Sequence, residues 1–259
     1  MNSAELLEGL TTLARQAGAV VMAIYATDFA VRGKGDASPV TEADEQAEAV
    51  ILAGLAALAP GIPVVAEESV AAGRTPDVSG GRFWLVDPLD GTREFVSRNG
   101  EFTVNIALIV HGAPVLGVVF APAVGGPGGR MFAGAVGPGA WVEDAQGRRA
   151  IHARTVPAEG LTVVASRSHG DASALDAFLA GRRVARLTNA GSSLKLCLVA
   201  EGAADLYPRH GRTMEWDIAA GHAVLVAAGG QVWAIDGGAP LAYGKPGFEN
   251  PHFVAQGWA

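Results

Sequence analysis

Cysteine is nearly missing from the chain: Cys197 stands alone, so no intramolecular disulfide can form and the fold must rest on its hydrophobic core. Nothing basic opens the sequence. The N-terminus carries Glu5 and Glu8 and has no positive segment followed by an apolar one, so no signal peptide is expected. An unbroken apolar run of bilayer length is also missing. The most apolar region, residues 104–124, is interrupted by Asn105, His111, Gly112 and Pro114 and reads as a hairpin. Lysine and arginine number 19 against 26 acids, for a net charge of −7, and no basic stripe exists to displace counterions. A nucleic-acid polymer is thereby excluded as ligand. The expectation is a cytoplasmic protein with no integral membrane segment; peripheral membrane association and a homodimer both stay open.

What the chain does have is 49% hydrophobic residues and 35 glycines over 259 positions, enough for one large domain or two that share an interface. Leu6, Leu10, Leu13, Ala17, Val20 and Ile24 recur at helical spacing behind a cap at Ser3. Thr41-Glu42-Ala43-Asp44 opens a second helix that buries Val50, Ile51, Leu55 and Leu58, with residues 33–39 as a loop between the two. Strands follow at 63–66 and 83–87, then a hairpin (102–110 and 114–121), then short strands at 131–133 and 140–142. From residue 150 the character changes to alternating strands (161–165, 183–187, 204–207, 231–235) and helices (171–180, 192–200, 216–228). The expectation is a mixed α/β fold, an antiparallel sheet in the first half and a mostly parallel one in the second, divided into residues 1–150 and 151–259.

Function is most legible in Phe83-Trp-Leu-Val-Asp87-Pro-Leu-Asp90-Gly91-Thr92. A β-prone stretch stops abruptly at Pro88, and Gly91 permits a turn, so two carboxylates arrive together at a rigid strand end. Such a pair is costly unless a cation sits between its members. Val64-Val-Ala-Glu67-Glu68 repeats the device, and Glu215-Trp-Asp217 sets a third acidic cluster before an apolar helix. Glu68 reads as a solvated neighbour. Asp44 reads equally as the end of a Thr41-x-x-Asp44 capping box or as a base. Gly191-Ser192-Ser193 opens a helix with Lys195 in its first turn, a place that suits an anion, and Arg209 is a further cation for it; both charges could equally be solvated. Cys197, Trp84 and Trp216 read as core and packing anchors. His169 reads equally as a substrate contact or as structural.

These segments resemble the inositol monophosphatase family of metal-dependent phosphatases. Trp84–Thr92 and Trp216-Asp-Ile-Ala-Ala-Gly221 match its two signatures, and Glu67-Glu68-Ser69 matches its acidic segment. Within the family the chain is most similar to 3′(2′),5′-bisphosphate nucleotidases, through residues 94–109, 117–122, 166–169, 191–195 and 206–209; Arg93-Glu94-Phe95 differs from the Asn-Phe expected of inositol phosphatases. The resemblance implies a layered α-β-α-β-α fold and two or three Mg²⁺ ions. It puts one ion on Glu67, Asp87 and the Leu89 carbonyl and another on Asp87, Asp90 and Asp217. Residues 89–92 would touch the scissile phosphate, and Ser192, Ser193, Lys195 and Arg209 the rest of the substrate. Thr92, with Asp44 or Glu67, would orient and deprotonate a water. The activity so implied is removal of the 3′-phosphate of 3′-phosphoadenosine 5′-phosphate. A sibling phosphatase acting on inositol monophosphate or fructose bisphosphate is the alternative, and a non-catalytic metal- or phosphate-binding regulator a third reading. An aspartyl-phosphate mechanism fails, because the acids are spaced Asp-x-x-Asp rather than Asp-x-Asp.

Overall fold

The apolar spacing of the first sixty residues builds two long helices, α1 (Ser3–Tyr25) and α2 (Glu42–Leu58). A computed structural model describes residues 2–27, 31–33, 39–167 and 172–257, with backbone alone over 31–33 and 39–41. The Thr41 side chain and His169 thus lie outside what is described. Asn2, not Ser3, caps α1: its Oδ1 accepts the Glu5 N–H at 2.9 Å, and the Glu5 carboxylate accepts the Asn2 N–H at 3.0 Å. Between the helices, β1 (Val31–Gly33) pairs antiparallel with β2 (Pro39–Thr41), where the sequence suggests only a loop.

Seven strands then form one sheet in chain order: β3 (Val64–Ala66), β4 (Arg82–Asp90), β5 (Thr103–Val110), β6 (Ala113–Ala121), β7 (Arg130–Ala135), β8 (Gly139–Asp144) and β9 (Gly147–Ile151). Every pairing is antiparallel except β3 with β4. Short helices α3 (Glu67–Ala71) and α4 (Thr92–Val96) leave the ends of β3 and β4. The β5–β6 hairpin turns on His111 and Gly112, whose φ values of 49° and 78° are those of a two-residue turn whose twist matches the strands.

The second half contributes β10 (Leu161–Ser166), α5 (Ala172–Leu179), β11 (Val184–Ala190), α6 (Leu194–Ala200), β12 (Leu206–Arg209), α7 (Glu215–Ala227), β13 (Gln231–Ala234) and β14 (Phe253–Gln256). Its sheet runs β11-β10-β12-β14-β13. The parallel arrangement expected here holds for β11, β10 and β12; β14 then pairs antiparallel with both β12 and β13.

Strand β4 is buried on both faces, and that defines the layers. Trp84 and Val86 join Leu10, Ile51 and Leu55 under α1 and α2. Phe83 and Leu85 join Leu196, Cys197, Val224 and Phe253, so the opposite core is shared with α6, α7 and the second sheet. Cys197 and Trp84 are completely buried, as the sequence suggests. Helix α7 lies directly on β6: a Cβ at Gly117 would meet the Ala220 carbonyl at 2.4 Å. No helix among the described residues is long and apolar enough to cross a membrane.

Candidate active site

The element ends that carry Glu67, Asp87, Asp90 and Asp217 open onto one cavity of about 380 Å³. Parallel pairing of β3 with β4 sets Ala66 beside Val86, so Glu67 and Asp87 leave neighbouring strands together. The β4–β5 ladder shifts register between Asp87 and Asp90. Pro88 cannot donate to a ladder, and the Asp87 Oδ1 accepts the Leu89 N–H at 3.0 Å, closing a side-chain turn in its place. Gly91 follows at φ 90°, with its Cα hemmed in by the Glu101 carbonyl and Phe102, and Thr92 starts α4. The Thr92 Oγ1 donates to the Leu89 carbonyl at 3.4 Å. From the other side, α7 begins at Glu215 and projects Asp217 into the same cavity, its Oδ2 accepting the Met214 N–H at 2.8 Å.

Acids adjacent in sequence part company here. Asp217 lines the cavity, whereas Glu215 is fully buried away from it, where it accepts the Gly244 and Lys245 N–H groups and the Lys245 ammonium. Glu67 lines the cavity. The Glu68 N–H and the Ser69 hydroxyl are instead held by Glu48 of α2, at 2.8 and 2.6 Å, which fixes the start of α3. Asp44 is only 1% exposed and is not on the cavity wall; it lies behind Asp87, close enough to repel its charge.

The electrostatics of this cluster call for a cation. Burial first, then repulsion from Glu67, Asp90, Asp217 and Asp44, pushes the Asp87 carboxyl well above the usual carboxylate range. Burial, then Asp90 and Glu67, does the same to Asp217. Burial raises Asp90 to about 6 even though Lys195 pulls it down. Among the described residues no three acidic, thiol or imidazole groups already converge with metal-holding spacing. The four carboxylates share a cavity rather than a closed cage, and hard anionic oxygens of this kind suit Mg²⁺. The donor set therefore fits a divalent ion.

Cations hold the far wall. Lys195 is 5% exposed; it donates to the Ala190 carbonyl at 3.3 Å and to the Ser192 carbonyl, and its ammonium lies 5.5 Å from the Tyr207 ring centroid. Burial, helped by Arg209, brings it down to about 8 against the pull of Asp90. Arg209 is 8% exposed and donates to the Gly211 and Arg212 carbonyls. Neither is a solvated surface charge. Helix α6 begins at Leu194, two residues later than the sequence suggests, because Ser192 takes the left-handed region at φ 44°. Ser192 lines the cavity, and its buried Oγ has no hydrogen-bond partner among the described residues. Arg93 also lines the cavity and is exposed. Sequence reasoning missed it as a site residue, as it missed the buried Glu94 beside Asp90.

The inositol monophosphatase family model matches residues 2–257, and the chain belongs to that family. Among its relatives, the 3′(2′),5′-bisphosphate nucleotidase CysQ of Shigella flexneri is 49% identical over 96% of this chain and 98% of its own length. The CysQ of Escherichia coli K12 is 48% identical over the same shares. A crystal structure of CysQ from Bacteroides thetaiotaomicron superposes with a TM-score of 0.82 at 34% identity, covering 98% of this chain and 97% of that one. The inositol monophosphatase of Anabaena gives 0.77 at 28% identity, covering 99% and 92%.

Proposed function

We propose that the chain is a Mg²⁺-dependent 3′(2′),5′-bisphosphate nucleotidase that hydrolyses 3′-phosphoadenosine 5′-phosphate to AMP and phosphate. The observation that carries this reading is one cavity lined by Glu67, Asp87, Asp90 and Asp217 together with two buried cations, Lys195 and Arg209. Near full-length identity of 48–49% to nucleotidases named for that reaction supports it.

Glu67, Asp87 and the Leu89 carbonyl would hold one ion, and Asp87, Asp90 and Asp217 a second. When bound, such ions lower the pKa of water and neutralise the phosphoryl charge. The rest falls to the protein. The Thr92 hydroxyl spends its hydrogen on the Leu89 carbonyl, so its lone pairs are free to orient an attacking water. Glu67 opens on the cavity and can take the proton, while Asp44, shielded behind Asp87, acts through its charge. The Gly91 and Thr92 backbone would seat the scissile phosphate. Lys195, Arg209 and Ser192 would seat the second phosphate, which a monophosphate substrate lacks. On this reading residues 1–150 carry most of the metal ligands, and residues 151–259 bring Asp217 and the substrate contacts.

The assignment is tested by Lys195→Ala and Arg209→Ala. Each should reduce kcat/KM for 3′-phosphoadenosine 5′-phosphate by about 10- to 100-fold, the worth of one charge-assisted hydrogen bond. Slow hydrolysis of inositol 1-phosphate should barely change, so selectivity between the two should shrink. Equal losses on both substrates would place these cations at the scissile phosphate or in the structure alone.

A further inference from the structure

The turn Gly191–Ser193 comes from the second half of the chain, yet three separate contacts bind it to the first. The Gly191 N–H donates to the Glu101 Oε2 at 2.7 Å, and a Cβ at Gly191 would meet the Glu101 carbonyl at 2.6 Å, so the backbones are in close contact. The Ser193 Oγ donates to the Asn105 Oδ1 at 2.7 Å and lies 2.9 Å from the Thr103 Oγ1. Ser193 is 3% exposed, and Thr103 and Asn105 are fully buried. Because the one hydrogen of Ser193 goes to Asn105, the Thr103 hydroxyl must be the donor in the second bond.

Two consequences follow from hydrogen-bond capacity and register. Phosphate oxygens accept hydrogen bonds, and the Ser193 side chain has no hydrogen left to offer them. In the β4–β5 ladder Thr103 is the partner of Asp90 and Asn105 the partner of Asp87. The two residues that grip Ser193 therefore lie beside the two central acids.

We propose that the Ser193 hydroxyl is a positioning group and not a substrate contact: Thr103 and Asn105 clasp it, and because they are the ladder partners of Asp90 and Asp87, the clasp fixes the strand segment that sets these two carboxylates in their metal-binding orientation. The clasp also joins the two sheets at the point where the site is assembled. Outer groups that orient a metal ligand typically contribute 10- to 100-fold to metal affinity. The proposal rests on the reading of Asp90 as a metal ligand.

Calorimetric titration of Mg²⁺ into the substrate-free protein tests it, with metal-free melting temperature recorded beside each Kd. Ser193→Ala should weaken Mg²⁺ by about 10-fold, with KM for 3′-phosphoadenosine 5′-phosphate unchanged at saturating Mg²⁺. Thr103→Val, which keeps shape and loses the hydroxyl, should weaken Mg²⁺ in the same direction, and Thr103→Ser should restore it. In the Ser193→Ala background Thr103→Val should add nothing, since Thr103 acts only through Ser193. If Ser193→Ala does not fold, the Thr103 pair carries the test by itself. Unchanged Mg²⁺ affinity in both series, or a raised KM at unchanged Mg²⁺ affinity, overturns the clasp while Asp90→Asn still abolishes Mg²⁺ binding. Should Asp90→Asn also leave Mg²⁺ binding intact, the underlying metal assignment falls instead.

Discussion

Asp90→Asn lowers kcat by on the order of 10²-fold or more and leaves the protein folded. The substitution removes one charge with almost no change of volume, at a residue that shares the cavity with Glu67, Asp87 and Asp217. Its metal-free melting temperature should rise. The Asp90 carboxyl is raised to about 6 by burial, so at neutral pH the folded protein holds a charge its surroundings disfavour. Deleting that charge relieves the folded state, a trade of function against stability common at active sites. Lys195 keeps its two carbonyl partners in the variant, so the far wall should not collapse. A kcat near that of the parent with ordinary Mg²⁺ dependence would reduce Asp87-Pro88-Leu89-Asp90 to a turn.

Removing divalent metal should abolish phosphate release and reverse the pH dependence of stability at this site. Asp90, Asp87 and Asp217 all have folded pKa values above their ordinary ones. A carboxyl raised in the fold binds more protons there than in the unfolded chain, so stability falls as pH rises between the two values. For Asp90 that window runs from 3.8 to about 6, and Asp87 and Asp217, also raised by burial, act in the same direction. Mg²⁺ requires the ionised forms. The gain in melting temperature on adding Mg²⁺ should therefore grow from pH 5 to pH 8. Melting curves with chelator and with Mg²⁺ across that range decide it; a gain that does not change with pH would mean these carboxyls are not what the metal displaces protons from.

The acidic side of the cavity is legible in the sequence because it is written locally. Asp87 and Asp90 lie within four residues, bounded by a β-prone run and by Pro88 and Gly91, whose backbone limits are fixed by covalent structure. Glu67 and Asp217 could be found because each stands at a junction between apolar strand or helix and polar turn. Local pattern alone does not separate Asp217 from Glu215. That choice depends on a partner far along the chain, Lys245, which holds Glu215 away from the cavity. The same limit hid Thr103 and Asn105, since nothing in an apolar β-strand shows which of its polar residues will meet residue 193. Strand β14 is four residues long and enters the second sheet between β12 and β13, so alternating strands and helices suggested more parallel pairing than forms. The late start of α6 reflects one left-handed serine, a conformation that composition alone does not announce.

The most direct test is phosphate release from 3′-phosphoadenosine 5′-phosphate, inositol 1-phosphate and fructose 1,6-bisphosphate, measured side by side with Mg²⁺ and again in excess chelator. The account predicts that the adenosine bisphosphate is preferred, that AMP accumulates in step with phosphate, and that chelator stops the reaction until Mg²⁺ is returned. Preference for inositol 1-phosphate, or undiminished turnover in chelator, would contradict it.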